Sequence, residues 1–352
     1  MKARVISRKK LLCSTARADL LCAGCRLFCR RRGEKAEFFV GSLAESLPED
    51  VLSRLRLSSR LLRLEPRCGL FLDDDTALVC WHGRVFRISL PDRRIAEEHR
   101  FRPGMSSPLA LVPVRDNPGF EDCVLYGEYI NDGAENEIHI FRRASGSGVW
   151  APVFSFEAGR IKHIHAIFSC PRRESLIVFT GDKDRESGIW EISRDFSGLR
   201  RILGGSQQFR AVAGFVTEDG IVYATDAPNE PNGLFFCDYA GGSRRRLAEI
   251  AGPAIYGAPL PGGRYVFSTS VEPERTGGCA PGSPTAGAAA LRTAGVISIW
   301  WSRISRYGSS MPAKRICSPC VSSASAPSSS PRGSGRASPP WVSPCVGWTE
   351  KP

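Results

Sequence analysis

His163-Ile-His-Ala-Ile-Phe168, Ser175-Leu-Ile-Val-Phe-Thr-Gly-Asp182, Gly188-Ile-Trp-Glu-Ile-Ser193, Gln208-Phe-Arg-Ala-Val-Ala213 and Gly220-Ile-Val-Tyr-Ala-Thr-Asp226 follow one another along the chain. Each is a short apolar run rich in Val, Ile, Phe and Tyr, closed by Gly, Asp or Ser, which is the signature of a strand. Working outward, the most apolar of these runs recurs as Ala77–Trp81, Cys123–Tyr129, Leu176–Asp182, Ile221–Asp226 and Tyr265–Ser270, with first residues 46, 53, 45 and 44 apart. A period of this size matches one four-stranded propeller blade, about 40–50 residues.

The other strands fall around that marker. Before it stand Pro108–Val114, Lys162–Phe168, Phe209–Phe215 and Ala254–Ala258, each a candidate innermost strand; after it stand Arg84–Ser89, Glu137–Arg142, Gly188–Ser193 and Gly233–Cys237. The turns repeat too, since Asp195-Phe-Ser-Gly-Leu-Arg200 and Asp238-Tyr-Ala-Gly-Gly-Ser-Arg244 are 43 residues apart. The fold class is therefore all-β, a β-propeller with five visible blades and six or seven expected.

Three segments follow. Residues 1–45 are read as a basic, disordered extension, 46–275 as the blades, and 276–352 as a low-complexity tail. The tail has one Glu and no Asp and is dominated by Ser, Pro, Ala, Gly and Arg, a composition that does not bury enough apolar surface to order itself. Because the last blade should begin where the composition breaks, a shifted reading frame after about codon 275 competes with a genuine disordered C-terminal tail. Between extension and blades, Ser46 is a candidate helix cap with Pro48 in the first turn and Glu49 and Asp50 at the positive end of the dipole; Val51, Leu52, Leu55 and Leu62 lie near one face.

The formal charge of +12 invites a nucleic-acid reading, but its distribution removes it. Residues 1–34 hold ten Lys/Arg against Asp19 and Glu34, and residues 276–352 hold eight against Glu350, so the blades are slightly acidic. No nucleic-acid partner is expected. No run of 18 apolar residues occurs, hence no membrane span. Leu20-Leu-Cys-Ala-Gly-Cys25 has the look of a lipoprotein cleavage site, but Arg17 and Asp19 interrupt the apolar region that export requires, and the reading is cytoplasmic. Most of the thirteen cysteines sit singly inside strands, as Cys80, Cys123, Cys170 and Cys237 do, which fits free buried thiols in a reducing compartment. Cys22-x2-Cys25-x3-Cys29 and Cys317-x2-Cys320 have no His close in sequence, so zinc is not expected.

The runs Gly127-Glu-Tyr129, Glu137–Arg143, Val149–Phe156, Gly159–His165, Thr180–Gly188 and Gly204–Arg210 resemble the sialidase-like, BNR/Asp-box group of bacterial β-propellers over roughly residues 60–275. The resemblance implies a propeller fold and a carbohydrate theme of the glycosyl-hydrolase kind. One departure is that Ser145-Gly-Ser-Gly-Val-Trp150 lacks the Asp of the Asp-box turn. The arginine triad and Tyr/Glu pair of true sialidases do not map onto this chain residue by residue.

Candidate site residues come from the geometry of a ring. His163 and His165 are two apart on an innermost strand and so point to one face. Arg210 occupies a similar place one blade on. Glu128, Asp182, Asp184, Glu186 and Asp226 end or follow marker strands, and Gln207 precedes Arg210. Converging at the channel mouth, they suit a glycan or acidic sugar: Arg210 as a fork for an acid group, Glu128, Asp182 and Asp184 as catalytic carboxylates, and His163, His165, Glu186, Gln207, Arg210 and Asp226 as ligand contacts. Each has a plainer reading. Asp beside Thr ties down turns, Trp190 is more often blade packing than a sugar platform, and a histidine pair more often lines a channel than binds a metal unless a third ligand, His139 or Asp182, joins it. The expectation is a monomer with no metal and no cofactor; the alternatives to glycan chemistry are a non-catalytic interaction platform and a damaged gene product.

Overall fold

A computed structural model of the chain describes residues 9–269 apart from 35, 131–133, 229, 251 and 261–263, together with the backbone of short strands at Lys2–Val5, Ile299–Trp300, Arg315–Ile316 and Val346–Thr349. The expected tail otherwise lies outside the described residues.

Four four-stranded antiparallel sheets and one six-stranded sheet, four of whose strands form blade 4, build five blades in order, and a sixth contributes two strands. Blade 2 is Cys68–Phe71, Thr76–Trp81, Arg84–Ser89 and Arg94–Arg100; blade 3 is Val112–Val114, Cys123–Gly127, Ile138–Ala144 and Trp150–Phe156. Blade 4 is His163–Cys170, Ser175–Gly181, Gly188–Ile192 and Leu199–Gly204; blade 5 is Ala211–Val216, Gly220–Thr225, Gly233–Asp238 and Arg244–Glu249. Blade 6 begins with Ala254–Leu260 and Arg264–Thr269. The propeller read from the repeat is the observed fold. Among the described residues no helix is long and apolar enough to cross a membrane.

The marker strand was legible because it is the second strand of each blade, buried on both faces. Side chains alternate between faces with period two, so each blade feeds two interfaces. Ala77, Val79 and Trp81 pack toward blade 1, while Leu78 and Cys80 pack toward blade 3. Ile177 and Phe179 meet Ile221 and Tyr223 between blades 4 and 5, and Val222 and Ala224 meet Phe267 between blades 5 and 6. A strand with no solvent face reads as an unbroken apolar run.

The expected basic, disordered extension over 1–45 is corrected: Lys10–Ser14, Ala18–Ala23, Arg26–Arg31 and Phe38–Ser42 form blade 1. Its inward residues Leu20, Cys22, Leu27 and Cys29 are fully buried against blade 2. Its cations hid the pattern because they are paired within the fold. Arg30 bonds buried Asp19 at 2.5 Å, Lys9 bonds Glu37 at 2.5 Å, and Arg31 reaches Asp75 of blade 2 at 2.6 Å. The lipoprotein-like Leu20–Cys25 is a strand and its turn, with Gly24 at φ +60° where a Cβ would strike Ser53.

Between blades 1 and 2 run two short helices, Leu47–Arg54 and Arg56–Leu61. Ser46 caps the first as predicted, accepting from the Glu49 amide. Val51, Leu52, Leu55 and Leu62, read as lying near one face, are exposed to solvent, and the buried side chains are Ser53 and Ser59.

Candidate functional site

Antiparallel register brings the start of each first strand beside the end of the second. In blade 4 His163 pairs with Gly181, and in blade 5 Ala211 pairs with Thr225. His163, His165 and Asp182 therefore gather at one end of blade 4, and Arg210 and Asp226 at the same end of blade 5. Thr180 and Thr225 do the turn-tying that was also assigned to the aspartates: Thr180 Oγ1 donates to Glu186 O at 2.7 Å, and Thr225 Oγ1 to Asn232 Oδ1 at 2.9 Å. The aspartates are left to turn toward Arg210.

Arg210 joins the blades. A terminal guanidinium nitrogen is 3.2 Å from Asp182 Oδ1, and its Nε is 3.5 Å from Asp226 Oδ2. The imidazoles of His163 and His165 are buried, their Nε2 atoms 3.1 Å apart and both close to Asp182 Oδ1. Although burial pushes the Asp182 carboxyl up, the close approach of both imidazoles and the charge of Arg210 prevail and hold it far below the usual carboxylate range. Burial depresses His165, with His163 and Arg210 adding to the effect. The two candidates for a third ligand beside the histidine pair are placed differently. Asp182 Oδ1 lies within 4.8 Å of both imidazole nitrogens, whereas His139 is elsewhere, bonded to Ser155 Oγ at 2.7 Å.

Tyr129 is a site residue that the sequence reading missed. The predicted marker strand Cys123–Tyr129 breaks at Glu128, and Tyr129–Ile130 crosses to blade 4, pairing with His163 on one side and with Met105–Ser106 on the other. Its ring stacks on His163 at 3.8 Å and 19°, and Arg67 lies 5.1 Å over its other neighbourhood. The signal was an aromatic directly after Glu128, absorbed into a strand it does not belong to.

Glu128, expected among the catalytic carboxylates, is tied into the fold. It is fully buried, held by Arg102 through two bonds of 2.6 Å and by the His139 amide at 2.8 Å. Glu186, also buried, accepts from the amides of Asp182 and Lys183 at 3.3 and 3.1 Å and so shapes the loop. Asp184 is exposed and accepts from Gln207 Nε2 at 2.8 Å, the same nitrogen that donates to Asp182 O. Trp190 is blade packing, donating to Thr180 Oγ1. Gln207 Oε1 and Arg210 Nε are buried without a hydrogen bond, although Nε stays in ion-pair range of Asp226. Gly181 matters sterically, because a Cβ there would lie 2.4 Å from the His165 ring.

No protein-family model matches the chain, and no curated protein does. Among solved structures it is similar to an oligogalacturonate lyase in complex with manganese, at TM-score 0.50 and 10% identity, covering 72% of this chain and 68% of that one. It is also similar to an oligogalacturonate lyase from Vibrio parahaemolyticus, at TM-score 0.52 and 8% identity, covering 85% and 75%. TolB from Acinetobacter baumannii aligns at TM-score 0.40 and 11% identity over 69% and 56%. At these identities the likeness concerns the fold, a β-propeller; the sialidase and BNR-repeat assignment finds no counterpart among the family comparisons.

Proposed function

We propose that this propeller binds or processes a glycan bearing an acidic sugar at the mouth between blades 4 and 5. The observation that carries the reading is the convergence of His163, His165, Asp182, Arg210 and Asp226 on one strand-end surface, with Tyr129 beside it. A guanidinium and carboxylates match hydroxyls and an acid group. The sialidase-like resemblance supplies the same carbohydrate theme, and two similar propellers carry names that refer to oligogalacturonate.

The arrangement favours binding and polarisation over two-carboxylate hydrolysis. A general acid needs a raised pKa, and Asp182 is moved the other way. The test is a glycan array together with a panel of uronate and sialate oligosaccharides against the full chain and Arg210→Ala. Binding that falls by about tenfold or more in the variant supports the reading, on the scale of one charge-assisted contact. A folded protein that retains no member of either panel overturns it.

A second reading, an interaction platform, has one observation in its favour: Leu47, Val51, Leu55, Leu57, Leu61 and Leu62 are all exposed on the helix pair. It expects partner binding that Leu57→Glu abolishes and Arg210→Ala leaves intact; the opposite pattern excludes it.

A further inference from the structure

Three acceptor atoms meet at the mouth, and Arg210 donates to the carboxylate oxygen but to neither imidazole. His163 Nε2 lies 3.1 Å from His165 Nε2 and 3.2 Å from Asp182 Oδ1, and His165 Nε2 lies 3.5 Å from the same oxygen. In each ring the other nitrogen faces a main-chain carbonyl, which only accepts: His163 Nδ1 is 3.4 Å from Ile130 O, and His165 Nδ1 is 3.0 Å from Ala211 O. A neutral imidazole has a single N–H, so the carbonyls fix both hydrogens on Nδ1 and leave both Nε2 lone pairs aimed inward. Two lone pairs and a carboxylate oxygen at such distances repel one another unless a cation lies among them.

The geometry points to a binding site for one divalent transition-metal ion, held by His163 Nε2, His165 Nε2 and Asp182 Oδ1. Ligand bonds of about 2.1 Å at octahedral to tetrahedral angles place donor atoms roughly 3.0–3.4 Å apart, close to the observed triangle. The carbonyls behind each Nδ1 are the outer partners that metal-bound imidazoles characteristically have, fixing tautomer and ring orientation. Two histidines and one carboxylate leave coordination positions open for a ligand, and Asp182, 40% exposed, marks the side from which it arrives. Arg210 bonds the same Asp182 oxygen, which has a second lone pair to offer the ion.

The ion also changes the sign of the mouth. With neutral imidazoles, Asp182, Asp226 and Arg210 sum to one negative charge, which repels an anionic sugar; a divalent ion makes the sum one positive charge. This last consequence rests on the acidic-saccharide reading, whereas the metal site itself does not.

The experiment uses the full chain, stripped with a chelator and titrated with Mn(II) at pH 8 by calorimetry and electron paramagnetic resonance. Manganese favours nitrogen and oxygen donors over thiolates, so the thirteen cysteines stay out of the readout. The expected result is one ion per chain, weakened about 100-fold or more in Asp182→Asn and His163→Gln, beyond the loss typical of an outer partner, and unchanged in His139→Gln. Asp182→Asn keeps shape at a half-exposed position, and circular dichroism verifies its fold. No binding by folded wild-type protein, or equal binding by Asp182→Asn, overturns the site and leaves a shared proton as its occupant. Oligogalacturonate is then titrated with and without Mn(II). Mn(II) bound but no saccharide retained leaves the metal site standing and removes the saccharide reading; equal saccharide affinity in chelated protein overturns the charge-reversal role.

Discussion

Replacing Arg102 by Ala tests whether Glu128 is a strut. Glu128 has no exposed surface, and Arg102 supplies two of the three hydrogen bonds that its carboxylate receives, both at 2.6 Å. Removing one partner of a buried ion pair costs about 3–5 kcal/mol, because the other charge is left without compensation. Arg102 is 38% exposed, so water can enter the space it vacates and the lower end, about 3 kcal/mol, is expected. In a domain of this size that corresponds to a fall in Tm of roughly 6–12 °C, read by circular dichroism at pH 7. The decisive arm is the double variant Arg102→Ala, Glu128→Gln. Removing both charges leaves a neutral side chain that still accepts from the His139 amide, so the double variant should be more stable than Arg102→Ala alone. A double variant less stable than the single one, or a single variant within about 1 kcal/mol of wild type, refutes the reasoning.

Gly181→Ala should displace the His165 ring, costing about 1–3 kcal/mol of stability by overpacking and weakening Mn(II) binding in the same calorimetric assay. Arg30→Ala should leave Asp19 buried beside Arg32 alone and open blade 1, seen as new trypsin cleavage within residues 10–42 and a loss of about 3 kcal/mol in urea unfolding. Glu191 is held below the usual glutamate range: burial opposes this, but bonds from Arg173, Arg200 and Ser175 outweigh it. Its contribution is therefore complete above the unfolded-state pKa of about 4.3 and is lost as pH falls through the lower folded value, so Glu191→Gln should flatten the acid limb of the stability profile while changing little below it. Ser46→Ala should cost about 0.5–1 kcal/mol through loss of the cap, measured by the same unfolding assay.

What the chain made legible follows from burial. Second strands such as Leu176–Gly181 face two neighbouring blades and cannot alternate with polar residues, so they stand out; blade spacing and strand order follow from them. Blade 1 was obscured because its cations pair with acids remote in sequence, Arg31 with Asp75 among them. For the helix pair, periodicity marks an apolar stripe but not whether anything covers it, and here Leu55 faces solvent while Ser53 is buried. At the site, His163, His165, Arg210 and the two aspartates were within reach because two-residue spacing and repeat phase place them. The burial of Glu128 left no mark in the sequence, since its partner Arg102 stands 26 residues away. Tyr129 was missed because a change of sheet within an unbroken apolar run leaves no local mark.

The crossing of Tyr129–Ile130 changes how this ring can be cut. Propellers are commonly thought of as strings of interchangeable modules, each removable at its linkers. Here the Ile164 amide donates to Glu128 O, and Tyr129 is sheet partner to His163, so a segment encoded with blade 3 completes the edge of blade 4. Excising or swapping blade 3 alone would strip the wall from His163 and remove the Ile130 carbonyl that orients it. Blades 3 and 4 are therefore one heritable cassette, and a recombination boundary that also keeps Arg210 and Asp226 with the site falls before Met105 or after Glu249.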